Sequence, residues 1–417
     1  MATVSLVRRL ARTGTAGPLL VALAAAEAGV RLLAPQVAPI EPAPVHAEDY
    51  FSAQEIKRGA GFARPQLALG IARAALELGA LGTLVTRLRA PRAARRRHAA
   101  GVGPAFADGA AVGATLAVAT TLTRLPLSAI ARRRAIAVGL VTQSWRGWGA
   151  DLVKSTAIEA TLAAGAGGAA VALTRRYPRG WWLPAAAGSI GLGTLLGALA
   201  PVLLDPVFND FTPLPDGDTR SDVLELAQAA GVEVGEVFSV DASRRTTGAN
   251  AYVTGLGPTK RVVLFDTLLD RYSRDEVRVV VAHELAHVRN RDVPRSVAYA
   301  AIVAPAAALA VQRLSWRLSP ERGTARALPA LALAAALVAG PTGLIGNRLS
   351  RAVERRADDY SLELSGSPEA FISFERAIAL QNVADLRPPR WVSSLLATHP
   401  PTLERIGAAV AYAQRSG

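Results

Sequence analysis

The sequence contains no cysteine, and only five of its 417 residues are histidine. The absence of cysteine excludes disulfide bonds, thiolate metal sites and thiol nucleophiles, so any metal ion must be held by His, Asp or Glu. Because histidine is scarce, each of its positions is informative. The five lie at His46, His98, His283, His287 and His399.

Aromatic residues are also scarce, at 5%, and they do not alternate with basic residues as they do in nucleic-acid-binding segments. The net charge of +14 therefore needs another explanation. Arginines cluster between apolar stretches, as at Arg95–Arg97 and Arg132–Arg134. In such positions they would face lipid headgroups. We expect the lipid bilayer, and not nucleic acid, to be the partner of this charge.

Apolar residues make up 51% of the chain. They form runs of about twenty residues, which is the length of a helix that crosses a bilayer. The sequence therefore predicts about seven membrane spans. The first, at 17–34, follows a basic start and has features of a signal peptide, but we favour a retained helix. The other spans are expected at about 66–86, 101–121, 152–173, 181–204, 296–312 and 327–346.

The chain changes character after Asp205, because residues 205–292 are polar and patterned like a soluble α+β domain. We predict an N-terminal membrane domain at 1–204 with about five spans. A second domain is expected at 205–417, and it contains the last two spans. The expected fold class is mainly α: a multi-pass membrane helix bundle that carries a zincin-like α+β domain.

Residues 283–287 read His-Glu-Leu-Ala-His. Side chains four residues apart share one face of a helix, so His283 and His287 can reach the same cation. Glu284 lies beside them, where a carboxylate can take a proton from water that zinc has acidified to a pKa of about 7. Chance gives roughly 0.002–0.003 such motifs in a chain of this composition. We therefore interpret the motif as a catalytic zinc site and not as two surface histidines.

Local sequence features also predict the helix that carries this motif. Ser273 and Glu276 are spaced as a capping box, which predicts a helix start at this point. Val277, Val280 and Val281 follow at helical spacing and indicate a buried face. The metal-binding side chains are therefore expected on a rigid, mostly buried helix.

A catalytic zinc site needs a third protein ligand and an open fourth position. We predict Glu354 as the third ligand. Asp358 lies four residues later on the same helical face and could orient a ligand imidazole from behind. Without the upstream motif, we would interpret these two residues as part of a solvent-exposed helix face whose carboxylates pair with nearby arginines.

His399 is followed by two prolines, which restrict the backbone just after it. As a cation or donor it could stabilise the oxyanion of a tetrahedral intermediate. The alternative is a histidine in a surface turn, and the residues alone do not decide between the two.

The sequence resembles the M48 metallopeptidases, specifically the Ste24-type CAAX prenyl proteases with seven membrane helices. The resemblance runs over nearly the whole chain and is strongest at 201–292 and 348–406. It is carried by the histidine motif at 283–287, by Glu354 with Asp358, by His399-Pro400-Pro401, and by the segments 205–209, 213–217, 241–245, 250–257 and 260–269.

The resemblance implies one zinc ion per chain, held by His283, His287 and Glu354. It also implies that Glu284 acts as the general base and that His399 assists the transition state.

By the same resemblance, 250–254 is an edge strand beside the cleft. An extended substrate could add to that edge by main-chain hydrogen bonds. Asn250, Ala251 and Tyr252 are therefore candidate substrate-binding residues. The alternative is an ordinary strand end, with Asn250 in a turn.

The chain departs from the family pattern at Arg355-Arg356-Ala357, where members often carry aromatic or neutral polar residues, and at Val288, where eukaryotic members have Trp. These departures concern substrate preference. We expect a zinc-dependent endopeptidase of the cell membrane that cleaves peptides or membrane proteins, with its active site on the cytoplasmic side by analogy. CAAX-type processing of lipidated C-termini and a non-catalytic, zinc-stabilised membrane scaffold remain alternatives.

Overall fold

Helices dominate the computed structural model, which describes residues 16–89, 102–255 and 260–416. Arg95–Arg97 and residues 256 and 257 of the family-like segment lie outside these ranges. The main helices are α1 (Ala16–Leu33), α2 (Ala53–Arg89), α3 (Val102–Ala137), α4 (Trp145–Arg176), α5 (Trp182–Leu203), α6 (Asp218–Ala229), α7 (Arg274–Arg289), α8 (Asp292–Leu318), α9 (Leu328–Ser365), α10 (Pro368–Gln381) and α11 (Thr402–Ser416).

Within the described ranges, seven helices are long and apolar enough to cross a membrane. They are α1 to α5, α8 and α9, and each overlaps one of the predicted spans. The mainly helical, multi-pass fold is therefore confirmed. α1 packs against α8, where Gly29 faces the ring of Tyr299 and Ala22 and Ala26 are fully buried.

The last span differs most from its prediction. The apolar run ends near 346, but α9 continues without a break to Ser365. Hydropathy falls there because Asn347, Arg348 and Arg351 are polar, yet arginine is a good helix former and keeps the helix intact. The predicted ligand Glu354 therefore lies on the same helix as a membrane span.

Helices α3 and α4 approach each other backbone to backbone. A Cβ atom added to Gly113 would lie 2.2 Å from the carbonyl oxygen of Ala163, and one added to Gly109 would lie 2.6 Å from that of Gly167. Only glycine allows such an approach, which is how membrane helices gain close van der Waals contact.

The polar region forms a four-stranded sheet in the order β1-β2-β4-β3. β2 and β4 are parallel, and the other two pairs are antiparallel. β3 is an edge strand, as predicted for 250–254. The strands are β1 (Phe211–Pro213), β2 (Glu236–Val240), β3 (Ala251–Thr254) and β4 (Arg261–Phe265).

Helix α7 lies between this sheet and α9. Its start is fixed by the predicted capping box, in which the Ser273 backbone N–H donates to the Glu276 carboxylate at 2.7 Å. Val281 and Leu285 are fully buried in the core that α7 forms with the sheet. On the other side, the Ser361 hydroxyl of α9 donates to the carbonyl of Val279 at 2.7 Å. α7 therefore has little freedom to move.

The connection between α3 and α4 joins the bundle to the sheet region. The Thr142 hydroxyl donates to the carbonyl of Ser243 at 2.7 Å. The guanidinium of Arg245 pairs with the carboxylate of Asp151 on α4 at 2.8 Å. The connection between β2 and β3 is therefore tied directly to the membrane helices.

Candidate metal centre and cleft

The two histidines of the motif face the same point. One turn of α7 brings His283 Nε2 and His287 Nε2 to 3.2 Å from each other. Glu354 reaches them from α9, with its Oε2 at 3.3 Å from His283 Nε2 and its Oε1 at 3.9 Å from His287 Nε2. One ligand atom from each of the three residues lies within 4.8 Å of the others.

Each imidazole has a carboxylate behind it. His283 Nδ1 lies 2.9 Å from Asp358 Oδ1, and His287 Nδ1 lies 3.0 Å from Asp292 Oδ2. Both carboxylates are buried. Zinc ligation through Nε2 requires the tautomer with its N–H at Nδ1, and the carboxylates lie where they favour that tautomer.

The donor set fits a zinc ion. Two Nε2 lone pairs face one another beside Glu354 Oε2, which is buried and accepts no hydrogen bond within the described part of the chain. Three electron-rich atoms converging in this way repel each other unless a cation lies between them. Two imidazoles and one carboxylate, with a fourth position open, are a donor set that zinc takes in catalytic sites.

Asp292 was not predicted, and its position depends on an unusual turn. α7 ends at Arg289, and Arg291 adopts the left-handed conformation, with φ at 54°. This turn reverses the chain so that Asp292, the first residue of α8, returns to His287. Arg356 of α9 and Arg295 of α8 both pair with the Asp292 carboxylate. The family departure at Arg356 thus has a structural role in this chain.

Glu284 lines a cleft of about 320 Å³ next to His283. Burial raises the pKa of Glu284 above the ordinary range of a glutamate. A nearby cation would favour its charged form, so the carboxylate is placed to accept a proton in the cleft.

His399 also lies at the cleft, with its Nε2 at 3.3 Å from Glu354 Oε2. Partial loss of solvent contact lowers the pKa of His399. The segment before it is held by α9, because the buried Arg351 donates to the carbonyls of Ser394 and Ala397, both at 2.5 Å. The His399 side chain is 61% exposed, as the surface-turn alternative expects, but its Nε2 lies beside one of the predicted metal ligands.

The predicted substrate-binding residues lie on or next to β3. Asn250 lines the cleft, whereas Ala251 is buried in the core behind the strand. Tyr252 is not among the residues that line the cleft, and its hydroxyl donates to the Asp205 carboxylate at 3.3 Å. Burial raises the pKa of Tyr252, which therefore stays neutral.

Comparison with known proteins agrees with this geometry. Peptidase family M48 matches residues 213–413. The chain is 31% identical over 300 residues to the uncharacterized metalloprotease YhfN of Bacillus subtilis (strain 168), an alignment that covers 70% of each chain. The chain belongs to the M48 metalloproteases.

Two further M48-related similarities concern Ste24-type enzymes. CAAX prenyl protease 1 of Saccharomyces cerevisiae is 41% identical over 102 residues, which is 24% of this chain and 22% of the yeast protein. The crystal structure of S. mikatae Ste24p superposes with a TM-score of 0.74 and covers 95% of this chain and 97% of that one, at 20% identity. This M48 member is therefore a multi-pass membrane protein with the Ste24p fold and a zinc metalloendopeptidase.

Proposed function

We propose that this M48 enzyme hydrolyses peptide bonds at the centre formed by His283, His287 and Glu354, with Glu284 as the general base. The observation that carries the proposal is the convergence of His283, His287 and Glu354 from two helices, at a cleft that His283 and Glu284 line. When bound there, zinc lowers the pKa of a water molecule to about 7 and polarises a carbonyl group.

Glu284 has the two proton transfers to perform. Its carboxylate accepts the proton of the attacking water and then donates it to the amine that leaves. His399, across Glu354, donates to the carbonyl oxygen as negative charge develops on it. Asp358 holds the His283 ring in the tautomer that ligation needs.

The β3 edge supplies the place for the substrate backbone. Because β3 is an edge strand, an extended peptide can continue the sheet along it by main-chain hydrogen bonds. Asn250 lies at the end of this edge inside the cleft and would hold the peptide near the scissile bond. Ala251 contributes its backbone, since its side chain is buried.

We rank general cleavage of membrane proteins above CAAX processing. The similarity to the B. subtilis metalloprotease extends over 70% of this chain, whereas the similarities to CAAX prenyl proteases extend over 22% to 52% of it. Purified enzyme would be incubated with a farnesylated CAAX peptide and with the same peptide without lipid. We expect cleavage that does not depend on the farnesyl group, and strict dependence on it would reverse the ranking.

Glu284→Gln tests the proposed chemistry. The change keeps the shape of the side chain and removes the base, so cleavage should fall by about 10²–10⁴-fold while zinc remains bound. Membrane fractions from wild type and variant would be compared by mass spectrometry, together with the zinc content of the purified proteins. The exposed Glu233→Gln is the matched control. Identical fragments in all three samples, with zinc present, would support a non-catalytic scaffold.

We also propose that the enzyme lies in the cell membrane with residues 205–417 as its peptidase domain and the cleft on the cytoplasmic side. The absence of cysteine makes a direct test available. A cysteine placed at the exposed Glu233 should react with an impermeant maleimide only after the cells are opened. Labelling in intact cells would place the cleft on the outer side.

A further inference from the structure

We propose that Glu375 and Arg405 are positioning residues of the metal centre, which hold Asp358 and, through it, the His283 imidazole. The inference rests on the metal centre of the proposed function. Neither residue belongs to the predicted ligand set. They lie on α10 and α11, after the helices that carry the ligands.

Arg405 uses three nitrogen atoms on two carboxylates. Its Nε and Nη2 donate to the two oxygens of Asp358, at 2.8 Å and 2.5 Å. Its Nη1 pairs with Glu375. The guanidinium also lies over the Phe371 ring, at 5.6 Å from the ring centre. The planar group is thus fixed on both edges and on one face.

The same carboxylate of Asp358 lies 2.9 Å from His283 Nδ1. A continuous line of contacts therefore runs from Glu375 through Arg405 and Asp358 to His283. It joins four helices, α10, α11, α9 and α7. A shift of Arg405 would move Asp358, and the imidazole would lose the group that fixes its ring plane.

Burying these charged groups costs free energy, so their presence calls for a reason other than stability. Asp358 and Glu375 are each only 2% exposed. Replacing buried ion pairs by apolar side chains of similar size is often neutral or stabilising, so stability alone is a weak reason for their presence. A defined orientation of the metal ligand is a sufficient reason.

The other ligand imidazole provides a comparison within the same site. Asp292, behind His287, is also paired with arginines, Arg356 and Arg295. Both imidazoles thus have a carboxylate and an arginine behind them. On the His283 side, the arginine is itself fixed by a second buried carboxylate from a separate helix. Glu375 is therefore the outermost member of the His283 support.

Zinc affinity is the readout that separates positioning from mere stability. Losing a group that orients a ligand costs about 10–100-fold in metal affinity. We expect Arg405→Lys, which cannot bind both carboxylates in the same geometry, to weaken zinc binding by about 10–100-fold. Glu375→Leu should weaken it by about 10-fold, and Glu375→Gln, which can still accept a hydrogen bond, by less.

The measurement uses the full-length chain in detergent and competition with a zinc chelator. All variants also carry Glu284→Gln, so the result does not depend on turnover and a failure of the proposed chemistry cannot be confused with a failure of this inference. The exposed Arg376→Gln, on the same helix as Glu375, is the control and should bind zinc as the parent does. In the catalytic background, excess zinc should restore cleavage by Glu375→Leu.

Unchanged zinc affinity in folded Arg405→Lys and Glu375→Leu would overturn the proposal. A loss of thermal stability in the zinc-free variants, with unchanged zinc affinity, would also overturn it, because that result would show a structural role only. If Glu375→Leu does not fold, Glu375→Gln and Arg405→Lys decide: zinc binding equal to the parent in both would also overturn it.

Discussion

Helices α3 and α4 meet through glycines, with no side chain between their closest backbones, whereas the helices around the metal centre meet through long charged side chains. In the first contact, Gly113 and Gly109 allow carbonyl groups to approach the partner helix. In the second, Arg405 and Arg356 fill the space behind the two ligand imidazoles. The difference shows that the contact between α3 and α4 depends on close packing, and the metal centre on directed hydrogen bonds.

The largest effect on catalysis is expected at the metal centre. His399→Ala removes a donor that faces the cleft, so kcat should fall by about 10²–10³-fold while KM and zinc content change little. Steady-state kinetics on a fluorogenic peptide measure this, with the exposed His46→Ala as the control. A normal kcat in His399→Ala would return His399 to the role of a surface-turn residue.

A smaller effect is expected behind His287. Asp292→Ala removes the carboxylate that lies 3.0 Å from His287 Nδ1, so zinc affinity should fall by about 10–100-fold. Chelator competition measures the change, and the exposed Asp270→Ala serves as the control. Cleavage should recover in excess zinc. Equal zinc affinity in both proteins would show that the ring of His287 is fixed by other contacts.

The smallest effect on catalysis is expected from the glycine contact between α3 and α4. Gly113→Leu forces α3 away from the Ala163 carbonyl, and overpacking of this kind costs about 1–3 kcal/mol. Thermal unfolding in detergent should begin at a lower temperature, whereas the folded fraction should keep its kcat and its zinc. Gly165→Leu, whose added Cβ would meet no atom within 4 Å, is the control. A Gly113→Leu protein with lost zinc would mean that the two regions are coupled.

Local patterns in the sequence predicted the parts of the site that are local in the chain. The four-residue spacing of His283 and His287 and the capping box at Ser273 are short-range features, and the structure shows both on α7. The seven apolar runs likewise predicted seven helices. Glu354 was chosen through family resemblance as well as spacing, and the structure places it beside the two imidazoles.

The groups behind the ligands were beyond local patterns. Asp292 lies only five residues after His287, but its contact depends on the left-handed turn at Arg291. Arginine rarely adopts this conformation, so the sequence does not predict the turn. Arg405 and Glu375 meet only because α10 and α11 fold back onto α7 and α9. No spacing along the chain encodes such a meeting. The length of α9 was underestimated because hydropathy marks only the apolar part of a helix, and α9 continues into a polar segment.

The continuity of α9 makes one helix carry both a membrane span and, beyond that span, the predicted metal ligand Glu354. From Leu328 to Glu354, the helix extends about 39 Å at 1.5 Å per residue, so a change in tilt of about 2° displaces the carboxylate by roughly 1 Å. His283 and His287 lie on α7, which is joined to the same helix by the Ser361 hydrogen bond to the Val279 carbonyl. One continuous helix thus connects the bilayer-crossing part of the chain to all three predicted metal ligands.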